Sequence, residues 1–88
     1  MEHMGINGWA CDALVIPLVG GLRVQFEESD WNLTNAFRGT RVVVQRPGQQ
    51  NVWMVVASEA RLPPIVWVTL AEKDETDVSS KILVRNVE

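Results

Sequence analysis

Residues 40–70, TRVVVQRPGQQNVWMVVASEARLPPIVWVTL, decide how this chain folds. Three short apolar runs stand there, RVVVQ (41–45), NVWMVVA (51–57) and IVWVTL (65–70), parted only by PGQQ-like and SEARLPP-like connections. Val, Ile and Trp dominate them, the residues that suit a pleated surface. The runs are also apolar on both side-chain phases, as strands are when both faces are covered. Strands are therefore predicted over Arg41–Arg46, Asn51–Ala57 and Ile65–Leu70. Pro47-Gly48 closes the first as a turn, and Pro63-Pro64 forces an extended approach to the last.

Working outward, Ala13 to Val19 reads as another strand. Pro17 cannot donate a ladder hydrogen bond, so that strand is expected to lie at an edge or to carry a bulge. Gly20-Gly21 is a two-residue hairpin signal. Leu22, Val24 and Phe26 then alternate with Arg23, Gln25 and Glu27, which predicts a strand with one wet face. Between Glu28 and Gly39, Ser29 can cap a short helix, Asp30 suits its first turn, and Leu33, Ala36 and Phe37 recur at helical spacing. At the C-terminal side AEKDETDV (71–78) reads as a solvated hairpin loop. Ser80–Val87 follows as a sixth strand, with Ile82 and Val84 opposite Lys81, Leu83 and Arg85. The expected fold is all-β: a six-stranded antiparallel barrel or sandwich, a meander curled into an SH3-like or OB-like roll, with at most one short helix near 30–38.

The chain has 88 residues, the size of one domain. Residues 9–88 are read as that domain, after a flexible lead-in over 1–8 whose Met1–His3 resembles a cloning junction. If so, the single histidine, His3, is not native. Hydrophobic residues make up 47% of the chain. That much apolar surface is hidden either by closing a barrel or by completing an open sheet with a second copy, so a homodimer is expected.

The net charge is −3 and the isoelectric point about 5.0, which argues against nonspecific binding to nucleic acid. Six of the eight basic residues are Arg, suited to planar paired contacts. Cys11 is the one cysteine, which fits a reducing, cytoplasmic setting. No run approaches the roughly 20 apolar residues of a membrane span, so no membrane partner is expected.

Catalytic and metal-binding constellations are not evident. Asp74, Glu75 and Asp77 lack the spacing and glycine of a calcium loop. Ser58, Ser79 and Ser80 have no histidine to pair with if His3 is not native, and Asp12 next to Cys11 disfavours a thiolate. Glu27, Glu28 and Asp30 gather before Trp31, but a polar turn explains them. No cofactor is implied. The candidate binding residues are Arg38, Arg41, Arg46 and Arg61 as an anion-contact group, with Trp31, Trp53 and Trp67 as anchors or stacking surfaces. The expectation is a non-enzymatic interaction or assembly module working through protein–protein contact with itself or another protein. The alternative is a barrel that binds a small ligand or nucleic acid through exposed Trp and an Arg patch.

Overall fold

The computed structural model describes residues 9–62, 64–73 and 82–87. Its elements, in chain order, are β1 (Trp9–Leu18), β2 (Gly21–Glu27), α1 (Glu28–Thr34), β3 (Arg41–Arg46), β4 (Gln49–Leu62), β5 (Ile65–Glu72) and β6 (Ile82–Asn86). The strands close into a barrel in the order β1-β2-β5-β4-β3-β6. An all-β barrel with one short helix is thus what forms, and closure settles barrel over sandwich.

Alternation places the core. Val15 of β1, Leu22, Val24 and Phe26 of β2, Val42 and Val44 of β3, Trp53 and Val55 of β4, Val66, Val68 and Leu70 of β5, and Ile82 and Val84 of β6 all point inward and are buried. Each fully buried Val or Leu contributes about 1.5–3 kcal/mol relative to exposure. The doubly apolar β3 run has a structural counterpart. Val43 faces outward, opposite Val52 of β4, yet each is only 1% exposed. That part of the wall is covered on both sides.

Two features correct the expected all-antiparallel meander. β2 pairs with β5 rather than β3, and β6 lies between β1 and β3, parallel to both. A hairpin reverses the chain. Here β5 ends at the mouth where Glu72 meets Trp53, whereas β6 starts at the opposite mouth, where Ile82 meets Trp9. The segment joining them is therefore a crossover and not a hairpin; Asp74, Glu75, Asp77, Ser79 and Ser80 lie outside the described residues. Both long edges of β6 are paired, so it offers no free edge for strand addition.

Pro17 sits where its missing N–H does no harm. Val15 N–H points away from β2 and donates to Asn86 Oδ1 at 3.1 Å, and Val87 N–H donates to the Ala13 carbonyl at 2.9 Å. Pro17, two residues beyond Val15, points the same way, past the end of β6 at Asn86. β1 is an edge there, as a proline requires.

The helix differs in detail from expectation. It begins at Glu28, behind Glu27, with no side-chain cap, so Ser29 lies inside it. Its entry is fastened instead by Glu28 N–H donating to the Pro64 carbonyl at 2.6 Å. It stops early because Asn35 turns into the left-handed region (φ 54°), which Asn tolerates better than most residues. Phe37 consequently leaves the helical face and is 71% exposed, as Leu33 is at 66%.

Candidate functional site

Three regions present side chains with chemical potential. The first is the mouth beneath α1. Trp31 lies against Phe26 with ring centroids 5.2 Å apart, and Trp9 and Cys11 pack on the same core, half-buried. Burial, then the carboxylates of Asp30 and Asp12, push the Cys11 thiol up from 9.0 to about 12, while Arg85 pulls the other way. A thiol held neutral is a packing group rather than a nucleophile at neutral pH.

The second region is the opposite mouth. Trp53 fills it from inside, 5% exposed, its indole N–H donating to Asn51 Oδ1 at 3.1 Å. The Arg46 guanidinium lies over that indole, 5.4 Å from the ring centroid, and donates from Nη2 to Gln49 Oε1 at 2.7 Å. Its Nε is buried without a hydrogen-bond partner. Beside it opens a pocket of about 490 Å³ between Asp12 of β1 and the C-terminal ends of β3 and β6, lined by Asp12, Gln45, Arg46, Pro47, Arg85, Asn86 and Val87. Asp12 and Arg85 form an exposed ion pair there at 2.8 Å.

The third is the outer wall of β1, β2 and β5. Leu14, Ile16 and Leu18 share the outward face of β1, and Leu14 and Leu18 are 42% and 38% exposed. Val19 stands fully exposed at the hairpin tip, and Val87, 44% exposed, follows β6 next to Ala13. Across β2, Gln25 and Arg23 face outward beside this strip, in register with Trp67 and Thr69 of β5. The Arg23 guanidinium covers the Trp67 ring at 5.7 Å, leaving the indole half-buried. An aromatic ring and an Arg amid aliphatic side chains is the composition of protein-interface centres.

The sequence candidates do not converge on one site. Arg38 and Arg41 are exposed near the start of β3, where Arg41 donates to the Gly39 carbonyl, whereas Arg46 ends the same strand about 17 Å away at a strand's rise per residue. They form no single patch. Trp53 and Trp67 do occupy neighbouring strands, but Trp53 faces the interior and Trp67 the outside. Trp53 therefore presents no open ring face for stacking. Trp31 is taken up by Phe26. The Arg61 side chain lies outside the described residues. Glu27, Glu28 and Asp30 stand at the α1 mouth, away from the Arg46 pocket. Among the described residues no group of three His, Cys, Asp or Glu gathers as a metal would need, and no helix is long and apolar enough to cross a membrane.

Sequence reasoning missed Leu14, Leu18, Val19, Arg23 and Val87. The wet face of β2 pointed to Arg23; nothing local showed that the β1 leucines would stay uncovered. Comparison with protein-family models, curated proteins and solved structures finds no match for this chain.

Proposed function

We propose that this barrel is a non-enzymatic interaction module that docks a protein through the outer wall of β1, β2 and β5, a second copy of itself being the first partner to consider. One observation carries the reading. Val87, Leu14, Ile16, Leu18 and Val19 form an outward apolar strip, continued by the Arg23–Trp67 stack. A barrel that has closed its core has no folding reason to keep such a strip bare, and contiguous exposed apolar surface marks association sites.

Docking in this reading is side chain on side chain, not strand on strand. Pro17 removes a donor from the one overhanging edge of β1 and blunts it against β-addition. The nucleic-acid alternative draws no support from this geometry, since Arg38 and Arg41 stand apart from Arg46 and Trp53 is buried. A reducing, cytoplasmic setting suits the lone, half-buried Cys11.

Sedimentation equilibrium from micromolar to millimolar protein tests the proposal. A reversible dimer is expected, and Leu14→Asp with Leu18→Asp should weaken it at least tenfold without unfolding the barrel. A strict monomer throughout removes self-association. A dimer indifferent to both substitutions places the interface elsewhere.

A further inference from the structure

The pocket at the Trp53 mouth has the makings of an anion site, argued from groups other than the apolar wall, with which it shares only Val87. Arg46 is the reason. Among the described residues no carboxylate pairs with it; its Nη2 donates to Gln49 Oε1, and its Nε is buried without a hydrogen-bond partner. Its orientation is set beforehand by the indole beneath it. A guanidinium that is partly desolvated, stacked and short of acceptors is poised for a planar oxyanion, which its parallel N–H groups fit two at a time.

The neighbours narrow the ligand class. Asn86 accepts the Val15 N–H at Oδ1, which leaves its Nδ2 donors to the lining, whereas Gln45, also in the lining, already donates its Nε2 to Gln50 Oε1. Arg85 is already engaged by Asp12, so the lining carries one net positive charge. That matches a monoanion and opposes a dianion such as phosphate, which Asp12 would repel. Pro47 and Val87 give the pocket an apolar lip able to hold a short aliphatic group next to the charge. We infer that this pocket binds a single carboxylate bearing a small apolar substituent, held by the Arg46 guanidinium and the Asn86 amide. Free short-chain organic acids and the terminal carboxylate of a polypeptide share that chemistry.

Titration followed by nuclear magnetic resonance tests the site on the full chain. Probes are sodium propionate and N-acetylvaline, with N-acetylvalinamide, sodium phosphate and sodium chloride at matched ionic strength as controls. Saturable shifts of the Asn86 side-chain amide and the Trp53 indole N–H are expected with the two carboxylates and not with the amide or chloride. Tighter binding of N-acetylvaline than propionate would identify a polypeptide terminus as the source; the reverse order would identify a free acid.

Asn86→Asp is the decisive variant. Its carboxylate still accepts the Val15 N–H and so keeps the strand cap, but it replaces the donor by a negative charge; at least a tenfold loss of affinity is expected. Arg46→Lys, which keeps the charge and loses the fork, should weaken binding several-fold, and Asp12→Asn should strengthen it. The inference is overturned if no carboxylate gives a saturable shift up to tens of millimolar. It is equally overturned if phosphate binds more tightly than propionate, or if a folded Asn86→Asp protein binds as well as the parent.

Discussion

Val43 and Leu14 both point outward from the same barrel, yet one is 1% exposed and the other 42%. Val43 faces Val52 on the wall formed by β3 and β4, where three successive valines, Val42 to Val44, are all buried. Leu14 sits on β1, which is also apolar on both phases around Leu14–Leu18, yet there the outer phase meets solvent. The difference separates two uses of apolar surface. On the β3–β4 wall it holds the fold together; on the β1–β2–β5 wall it is surplus to folding and free for contact.

The contrast breaks most sharply at Val43. Val43→Asp puts a carboxylate where water is excluded and should cost several kcal/mol, enough to abolish the cooperative urea transition. If this variant unfolds no more readily than Leu14→Asp, the two walls are equivalent and the distinction fails. Next in size is the β1–β2 hairpin, where adjacent glycines do different work. A Cβ on Gly21 would collide with the Leu70 carbonyl oxygen across the sheet, so Gly21→Ala should lose about 2–3 kcal/mol. Gly20 has open space around it but φ of 81°, and Gly20→Ala should lose about 1 kcal/mol through backbone strain alone. Chemical denaturation ranks the two, and a reversed order would contradict the hairpin geometry.

Cys11 sharpens the picture at the α1 mouth. In the folded chain its thiol is pushed up to about 12 from 9.0. Between those values the folded state keeps a proton that the unfolded state releases. Its contribution is therefore complete below pH 9 and is lost as pH rises toward 12. The urea midpoint of the parent should fall more between pH 8.5 and 10.5 than that of Cys11→Ala; parallel curves would mean that the thiol is not sequestered. The smallest effect belongs to the exposed Asp12–Arg85 pair, whose removal by Asp12→Asn should change stability by no more than about 0.5–1 kcal/mol.

The core face was legible residue by residue where the sequence alternates. Leu22, Val24 and Phe26 against Arg23, Gln25 and Glu27 divide into inside and outside just as their alternation indicates, and β3 has the predicted bounds Arg41–Arg46. Helix and strand ends were less so. β4 runs on from Ala57 to Leu62 through a polar segment, because register shifts after Val55 and Glu59 let it stay paired with β5. The Arg46 pocket was legible only in part. Arg46 stood out as a candidate, but its neighbours Asp12, Arg85 and Asn86 come from strands more than 30 residues away in sequence.

The chain alone determined that its strands form, where they turn at Gly20-Gly21 and Pro47-Gly48, and, for β2 and β6, which phase meets the core. Those properties follow from side-chain chemistry and backbone freedom within a few residues. Tertiary structure decided that β2 lies beside β5, that β6 enters parallel between β1 and β3, and that Leu14 stays bare while Val43 is covered. These depend on which distant segments meet when the barrel closes. Periodicity tells a side chain which face it occupies, and only the partner strand tells it what lies on the other side.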